Sequence, residues 1–242
     1  MTTVVDPKEV TKFNQIARSY WDPEGPMRAV HQINPLRIDF TESFYPLQDA
    51  KVLDVGCGGG LESETIAKRG GSVTAIDASP EMLKTAKLHA LESGLSIDYV
   101  ESHAEAFVRS HQAAFDVVTC FEMIEHVPEP METLEALAAL VRPGGWLILS
   151  TINRTPKAYL GAVIAAEYIL NWVPKGTHDS APLLKPSELP NGLRHHPLDI
   201  ESIERAVHQP LSAQFTRLPK DTPPPDPGRV GQQCRSRWSQ YH

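Results

Sequence analysis

Apolar and polar positions change their spacing twice along the 242 residues. From about residue 9 to 20 apolar side chains recur at helical spacing. The turn Trp21-Asp22-Pro23 then separates this stretch from a second helical one at about 35–43. Between about 51 and 152 short β-branched runs alternate with longer helical ones. The runs at 51–55, 72–77, 96–100, 115–120 and 146–151 predict strands, and 61–69, 80–93 and 130–141 predict the helices between them. Such alternation is the signature of βαβ units around a parallel sheet. The run Phe115-Asp116-Val117-Val118-Thr119-Cys120 is mostly apolar, as a strand covered on both faces should be.

Two later stretches break the pattern. Residues 158–173 are strongly apolar, with Lys157 and Lys175 flanking them, but they are too short, and Glu167 too central, for a transmembrane helix. They read as a buried core helix, or as an amphipathic lid that touches a bilayer interface through Trp172 and the flanking lysines. From about Leu218 the chain is proline-rich and polar. Such a composition buries too little apolar surface to offset chain entropy and predicts a disordered tail.

Composition adds exclusions. With 41% hydrophobic and 22% charged residues the chain falls in the globular range. A net charge of −7 leaves no cationic surplus to displace counterions from phosphate, which argues against nucleic acid as a partner. Cys57, Cys120 and Cys234 are far apart and form neither a disulfide framework nor a zinc pattern. The first ten residues lack the apolar core of a signal peptide, so a protein of a reducing cytoplasm is expected.

The first concentrated chemistry is the loop after the first strand. Asp54 is followed by Gly56-x-Gly58-x-Gly60 and then a predicted helix, a nucleotide-site arrangement in which glycines let the backbone approach a ligand. Asp77 ends the second strand about twenty residues on, where a carboxylate can accept hydrogen bonds from both hydroxyls of a ribose. A tight strand-to-helix turn is the plain alternative and accounts for a minority of such glycine patterns. A dinucleotide site is the nearer rival, but its GxGxxG spacing is not met, because Gly60 arrives early and Glu62 stands where small packing residues are usual. Ser102-His103-Ala104-Glu105 follows the third strand and could frame an adenine ring. Cys120-Phe121-Glu122 ends the fourth strand at the sheet edge where open α/β folds bind ligands, and Arg142-Pro143-Gly144-Gly145 turns into the fifth.

Together these features resemble a class I S-adenosylmethionine-dependent methyltransferase. More narrowly they resemble the ubiquinone-biosynthesis O-methyltransferase family, which methylates 3-demethylubiquinol and 2-polyprenyl-6-hydroxyphenol. The narrow likeness rests on His31-Gln32-Ile33-Asn34-Pro35-Leu36-Arg37, the LDVGCGGG loop, the helix 86–94, FDVVTCFEMIEHVPEP, Ser150-Thr151-Ile152-Asn153-Arg154, and AEYIL with VPKGTHD, and covers about 10–190. It implies an α/β fold, a Rossmann-like and mainly parallel seven-stranded sheet flanked by helices. It divides the chain into a helical cap at 1–50, a methyltransferase domain at 51–215 with the apolar lid at 156–176, and an atypical tail at 216–242. It implies that Arg37, Gly56, Gly58, Asp77 and Phe121 contact S-adenosylmethionine. A surface arginine and a core phenylalanine are the plainer readings of Arg37 and Phe121, and Cys57 reads as a small buried residue.

A phenol acceptor has a pKa of about 10, so methyl transfer at neutral pH needs a base or a metal ion. Glu122, Glu125 and His126 sit at i, i+3 and i+4, on one face if the segment is helical. In the family resembled this cluster is associated with Mg2+. Alternatively His126 acts directly as the general base, and a third reading is a solvated helix start. His178 and Asp179 face an acceptor pocket or lie on an exposed loop. The family's acceptor is a polyprenylated phenol or quinol, which implies peripheral contact of 156–176 with membrane lipid and partners in a biosynthetic complex. The likeness decays after Lys185-Pro186-Ser187-Glu188-Leu189. Pro190 and Pro197 interrupt a segment that should be helical, and no apolar run serves as the last, antiparallel strand. Three other readings stay open: a methyltransferase for another hydrophobic phenol, a non-catalytic cofactor-binding scaffold, and an NAD-dependent oxidoreductase.

Overall fold

A computed structural model describes residues 5–152, Leu193 and Leu198, and the strand segments Ser202–Gln209, Gln214–Arg217 and Arg237–Tyr241. The apolar stretch at 156–176, His178 and Asp179 lie outside the described residues.

The first helix, α1 (Pro7–Ile16), starts where Asp6 accepts a hydrogen bond from the Lys8 amide and Pro7 takes a position that needs no donor. A 3-10 turn at Ala17–Ser19 carries the chain to Tyr20 and Trp21. The second helix, α2 (Arg28–Glu42), begins seven residues before the expected start at Pro35. Proline inside a helix removes a hydrogen bond and crowds the preceding turn. Here Ile33, Asn34, Arg37, Ile38, Phe40 and Thr41 are all buried, and that face against the sheet outweighs the local penalty.

The βαβ pattern continues as β1 (Lys51–Val55), α3 (Leu61–Lys68), β2 (Ser72–Asp77), α4 (Pro80–Glu92), β3 (Asp98–Glu101), α5 (Ala104–Phe107), β4 (Phe115–Phe121), α6 (Pro130–Leu140) and β5 (Val141–Ile152). Strands β1 and β2 have the expected bounds. β5 starts five residues early, and its pairing with β4 shifts register between Phe115 and Val117. The order β3-β2-β1-β4-β5 is parallel throughout.

Alternate residues of each strand enter opposite cores. Leu53, Val118, Leu147 and Leu149 pack with Leu134, Leu137 and Leu140 of α6. Val52, Val117 and Ile148 pack with Ile38, Phe40, Ile66 and Leu83 from α2, α3 and α4. Burial on both faces explains why β4 carries so little polarity.

Beyond β5 the sheet departs from expectation. β6 (Ser202–Gln209) and β7 (Gln214–Arg217) pair antiparallel, and β8 (Arg237–Tyr241) inserts between β5 and β6, parallel to both. The described residues therefore form eight strands rather than seven, and the last of them comes from the stretch expected to be disordered. Trp238 and Tyr241 favour strands, but five residues behind a Pro/Gly-rich run carry no alternation to read. What recruits them is the row of unpaired backbone groups along the edge of β5.

Candidate active site

β1 ends in Val55, and the Gly56-to-Gly60 loop turns the chain into α3. The amides of Gly56 and Cys57 both donate to the carbonyl of Ile76, at 2.9 and 3.1 Å, tying the loop to β2. Gly56 has φ +74°, and a Cβ there would lie 2.4 Å from Met123 Cγ. Gly60, at φ +89°, caps α3 where a Cβ would strike the Tyr99 hydroxyl. Cys57 is buried, and burial pushes its thiol pKa far up, so it has a packing role.

Asp77 joins this loop to α4. Its Oδ2 accepts from the Gly58 amide at 2.8 Å and its Oδ1 from the Ser79 amide at 2.7 Å. Burial raises the Asp77 pKa, against the lowering effect of those amides and that of Ala78. Each carboxylate oxygen keeps further acceptor capacity, and Asp77 lines the cavity, so the residue can serve two ribose hydroxyls.

Arg37 is 4% exposed, so the surface reading of this residue is corrected. Its Nη1 donates to Glu62 Oε1 at 2.5 Å, its Nη2 lies 3.5 Å from Glu122 Oε1, and its guanidinium sits 5.3 Å from the Phe121 ring centroid. Phe121 is both core and wall: it packs with β4's neighbours and lines the cavity. Glu62, which spoils a dinucleotide fingerprint, is therefore the partner of Arg37.

Arg37, Gly56, Gly58, Asp77, Phe121, Glu122 and His126 line one cavity of about 160 Å3 at the carboxyl ends of β1, β2 and β4. Ser102, His103, Ala104 and Glu105 border it as well. Glu105 accepts from Thr133 and sits 3.0 Å from His103 Nδ1. Against one guanidinium, the side chains of Asp6, Glu9, Glu62, Asp77 and Glu105 leave the lining acidic. S-adenosylmethionine, with a sulfonium, an ammonium and one carboxylate, carries the complementary charge. The acceptor pair on Asp77, the Cβ-free loop and this acidic surplus fit that cofactor.

The Glu122, Glu125, His126 cluster is not one helical face. Glu122 precedes the turn in a left-handed conformation, φ 50°, and only Ile124–His126 forms a 3-10 turn. Its carboxyl receives the Ser150 hydroxyl at 2.9 Å, while Thr151 donates to Glu125 Oε2 at 3.0 Å. His126 turns away, its Nδ1 lying 2.9 Å from Glu9 Oε2 of α1. The expected three-ligand metal site is thereby corrected: no three acidic, His or Cys side chains among the described residues gather to hold a metal. Two carboxyls remain together, and Glu125 Oε1 is buried without a hydrogen-bond partner.

The amino-terminal segment was not legible as part of the site. Val10 and Phe13 line the cavity beside Glu9, and Tyr20 packs on Gly58 and Gly59. The Trp21 indole N–H donates to the Gly59 carbonyl at 2.9 Å, and its ring stacks on His89 at 3.3 Å. Adjacent aromatics before a proline are the one signal that could have marked this roof.

Burial and the neighbouring Glu125 push the Glu122 pKa up to about 8, against the pull of Arg37 and Ser150. Burial and Glu62 push Asp54 to about 7, although Ser63 and Thr119 donate to it. Both values exceed the ordinary carboxylate pKa, so between about pH 4.5 and 8 these two groups hold more protons in the folded chain than in the unfolded one. These groups therefore destabilise the fold as pH rises through that window. Glu122→Gln, which removes the ionisation, is expected to gain in melting temperature on the wild type from about pH 6 to about pH 9. A constant gap between the two melting curves would contradict the assignment.

Residues 53–149 match the family model described as a methyltransferase domain. The fold resembles a possible histamine N-methyltransferase of Thermotoga maritima, an S-adenosylmethionine-dependent methyltransferase, with TM-score 0.64 and 15% identity over 87% of this chain and 92% of that one. A ubiquinone biosynthesis O-methyltransferase of Saccharophagus degradans is 45% identical over 90% of this chain and 92% of its own length. One from Azoarcus sp. is 48% identical over 92% of this chain and 95% of its own. At that identity and coverage, with the Asp77 and Arg37 cavity built on a class I methyltransferase sheet, the chain belongs to the ubiquinone biosynthesis O-methyltransferase family.

Proposed function

We propose that the protein transfers the methyl group of S-adenosylmethionine to a phenolic hydroxyl of polyprenylated intermediates in ubiquinone biosynthesis, at both O-methylation steps. The chain is an S-adenosylmethionine-dependent methyltransferase by family. One observation carries the assignment of roles: Asp77, Arg37, Phe121 and His126 line a single cavity at the carboxyl ends of the strands.

Bound there, the cofactor supplies an activated methyl on a positively charged sulfur. Asp77 would accept from the ribose, Gly56 and Gly58 would leave room for close approach, and Phe121 would form the wall. Arg37 would meet the methionyl carboxylate, and Glu62, paired with Arg37, would balance positive charge. His126 takes the proton of the acceptor phenol, whose pKa of about 10 leaves roughly one molecule in a thousand ionised at pH 7.

Magnesium would enter at Glu122 and Glu125, since that ion commonly uses one or two carboxylates and keeps several waters. The orphaned Glu125 Oε1 supports this placement. It would supply positive charge beside a developing phenolate.

No helix among the described residues is long and apolar enough to cross a membrane. The lysine-flanked stretch at 156–176 suits contact with an anionic bilayer, where a polyprenylated acceptor resides. Loss of liposome flotation on deleting it would support this, and equal flotation would refute it.

A short-chain demethylated quinol incubated with S-adenosylmethionine and magnesium is expected to yield its methyl ether. Glu122→Ala with Glu125→Ala is expected to abolish any magnesium stimulation while leaving S-adenosylhomocysteine binding intact. Unchanged stimulation would remove the ion from those residues. Absence of the methyl ether from the wild type would sink the O-methyltransferase reading.

A further inference from the structure

We propose that Trp21 is a positioning residue of the cofactor site: its indole N–H orients the peptide between Gly59 and Gly60, and its ring pins the segment that carries α1 across the cavity. The proposal rests on S-adenosylmethionine occupying that cavity.

Most backbone bonds of the glycine loop are local. The amides of Gly56 and Cys57 donate to Ile76, and that of Gly58 donates to Asp77. The Gly60 amide donates to the Cys57 carbonyl at 2.9 Å, which fixes one edge of the peptide joining Gly59 to Gly60. The opposite edge, the Gly59 carbonyl, accepts from Trp21 Nε1 at 2.9 Å. Trp21 lies 38 positions upstream, so this bond couples the amino-terminal segment to the loop. A peptide between two glycines has few steric limits of its own, and it keeps one orientation when both edges are held. The Tyr20 ring covers the same place and leaves no room for a Cβ on Gly59.

α4 holds Trp21 in turn. The indole stacks on the His89 imidazole, with centroids 3.3 Å and planes 5° apart. His89 is itself set by Glu64, whose fully buried carboxylate lies 2.5 Å from Nδ1 and also accepts from the Ser93 hydroxyl. One directional bond and one flat stack give the indole a single position.

α1 depends on that anchor. Val10 and Phe13 line the cavity, yet no residue of α1 is buried. Burial begins at Ala17 and Tyr20, which pack with Leu61 and Met82. A helix with so little buried surface belongs to the less stable part of a fold. Its place over the cavity is set by a few polar contacts: Glu9 with His126, Asn14 with the Ser79 hydroxyl, and the Ala17 carbonyl with the Thr85 hydroxyl. Trp21 secures the carboxyl end of the segment. Releasing it frees the loop peptide and the helix above it together, so the cofactor is held less tightly and leaves sooner.

S-adenosylhomocysteine binding to the full chain, by calorimetry and by stopped-flow release, tests this. Trp21→Phe keeps a ring on His89 and removes the N–H, and is expected to weaken binding about fivefold, the equivalent of one neutral hydrogen bond. Trp21→Ala removes the stack as well and is expected to lose about 30-fold, mostly as faster release. His89→Gln can still donate to Glu64 but offers no ring. It should weaken binding about fivefold, and adding it to Trp21→Ala should cost nothing further. In spectra of 15N-labelled tryptophan, the indole resonance assigned by Trp21→Phe should exchange with solvent about tenfold more slowly once S-adenosylhomocysteine is bound. At saturating cofactor, kcat should stay within about threefold of the wild type.

Trp21 variants that melt earlier but bind S-adenosylhomocysteine within about twofold of the wild type would make the residue a purely structural contact and overturn the proposal. Indole exchange that ignores the ligand, or fully additive losses with His89→Gln, would overturn it too. If Trp21→Ala does not fold, Trp21→Phe and the wild-type indole exchange decide. A wild type that does not bind S-adenosylhomocysteine, or an Asp77→Ala variant that binds it unchanged, would remove the cavity as the cofactor site and the proposal with it. That failure is distinct from any effect at Trp21.

Discussion

Asp77→Ala is expected to weaken cofactor binding about 100-fold, measured by calorimetry with S-adenosylhomocysteine. The estimate follows from two hydrogen bonds from ribose hydroxyls to a carboxylate, each worth about 1.5 kcal/mol at the low end for charged partners. Together they approach 3 kcal/mol, and each 1.4 kcal/mol is tenfold in affinity. The substitution also releases the amides of Gly58 and Ser79, which the carboxylate holds at 2.8 and 2.7 Å, so the loop loses its tie to α4. Asp77→Asn keeps one acceptor oxygen and should fall between the alanine variant and the wild type. Binding by Asp77→Ala within about threefold of the wild type would remove Asp77 from the ribose.

Gly56→Ala is expected to lower folding stability by about 2–4 kcal/mol and to abolish detectable cofactor binding. Two costs add. A non-glycine residue held at φ +74° carries backbone strain of about 1 kcal/mol or more. A methyl 2.4 Å from Met123 Cγ must push the segment after β4 out of place, and overpacking of this kind costs about 1–3 kcal/mol. That displaced segment carries Glu122 and leads into the turn bearing His126, so the damage reaches the reacting end as well as the cofactor end. Denaturant unfolding measures the first effect and calorimetry the second. Wild-type stability with intact binding would mean that the loop relaxes freely.

Much of the parallel sheet was legible because its information is local. β1, β2 and β4 are short β-branched runs bounded by turn residues, and burial on both faces strips them of polar positions, so periodicity alone located them. α2 was mis-started because Pro35 is a strong local stop signal, whereas the burial of Ile33 and Ile38 that overrides it is a property of the packed chain. β8 was missed for a related reason: Arg237–Tyr241 has no pattern of its own and is ordered by the free edge of β5.

The sequence by itself determined where the residues proposed to hold the cofactor lie. Asp77 and the glycines must lie at strand ends, because βαβ winding places every loop after a strand at one edge of the sheet. Only the tertiary structure decided which charges meet. It buried Arg37 between Glu62 and Glu122, left Glu122 and Glu125 as a pair, and turned His126 to Glu9. Helical spacing could not foresee that division, since the segment folds as a 3-10 turn behind a left-handed residue. The partner of His126 lies more than a hundred residues away, beyond the reach of any periodicity. Short-range patterns encode where strands end, whereas ion pairs across a cavity depend on how whole elements pack.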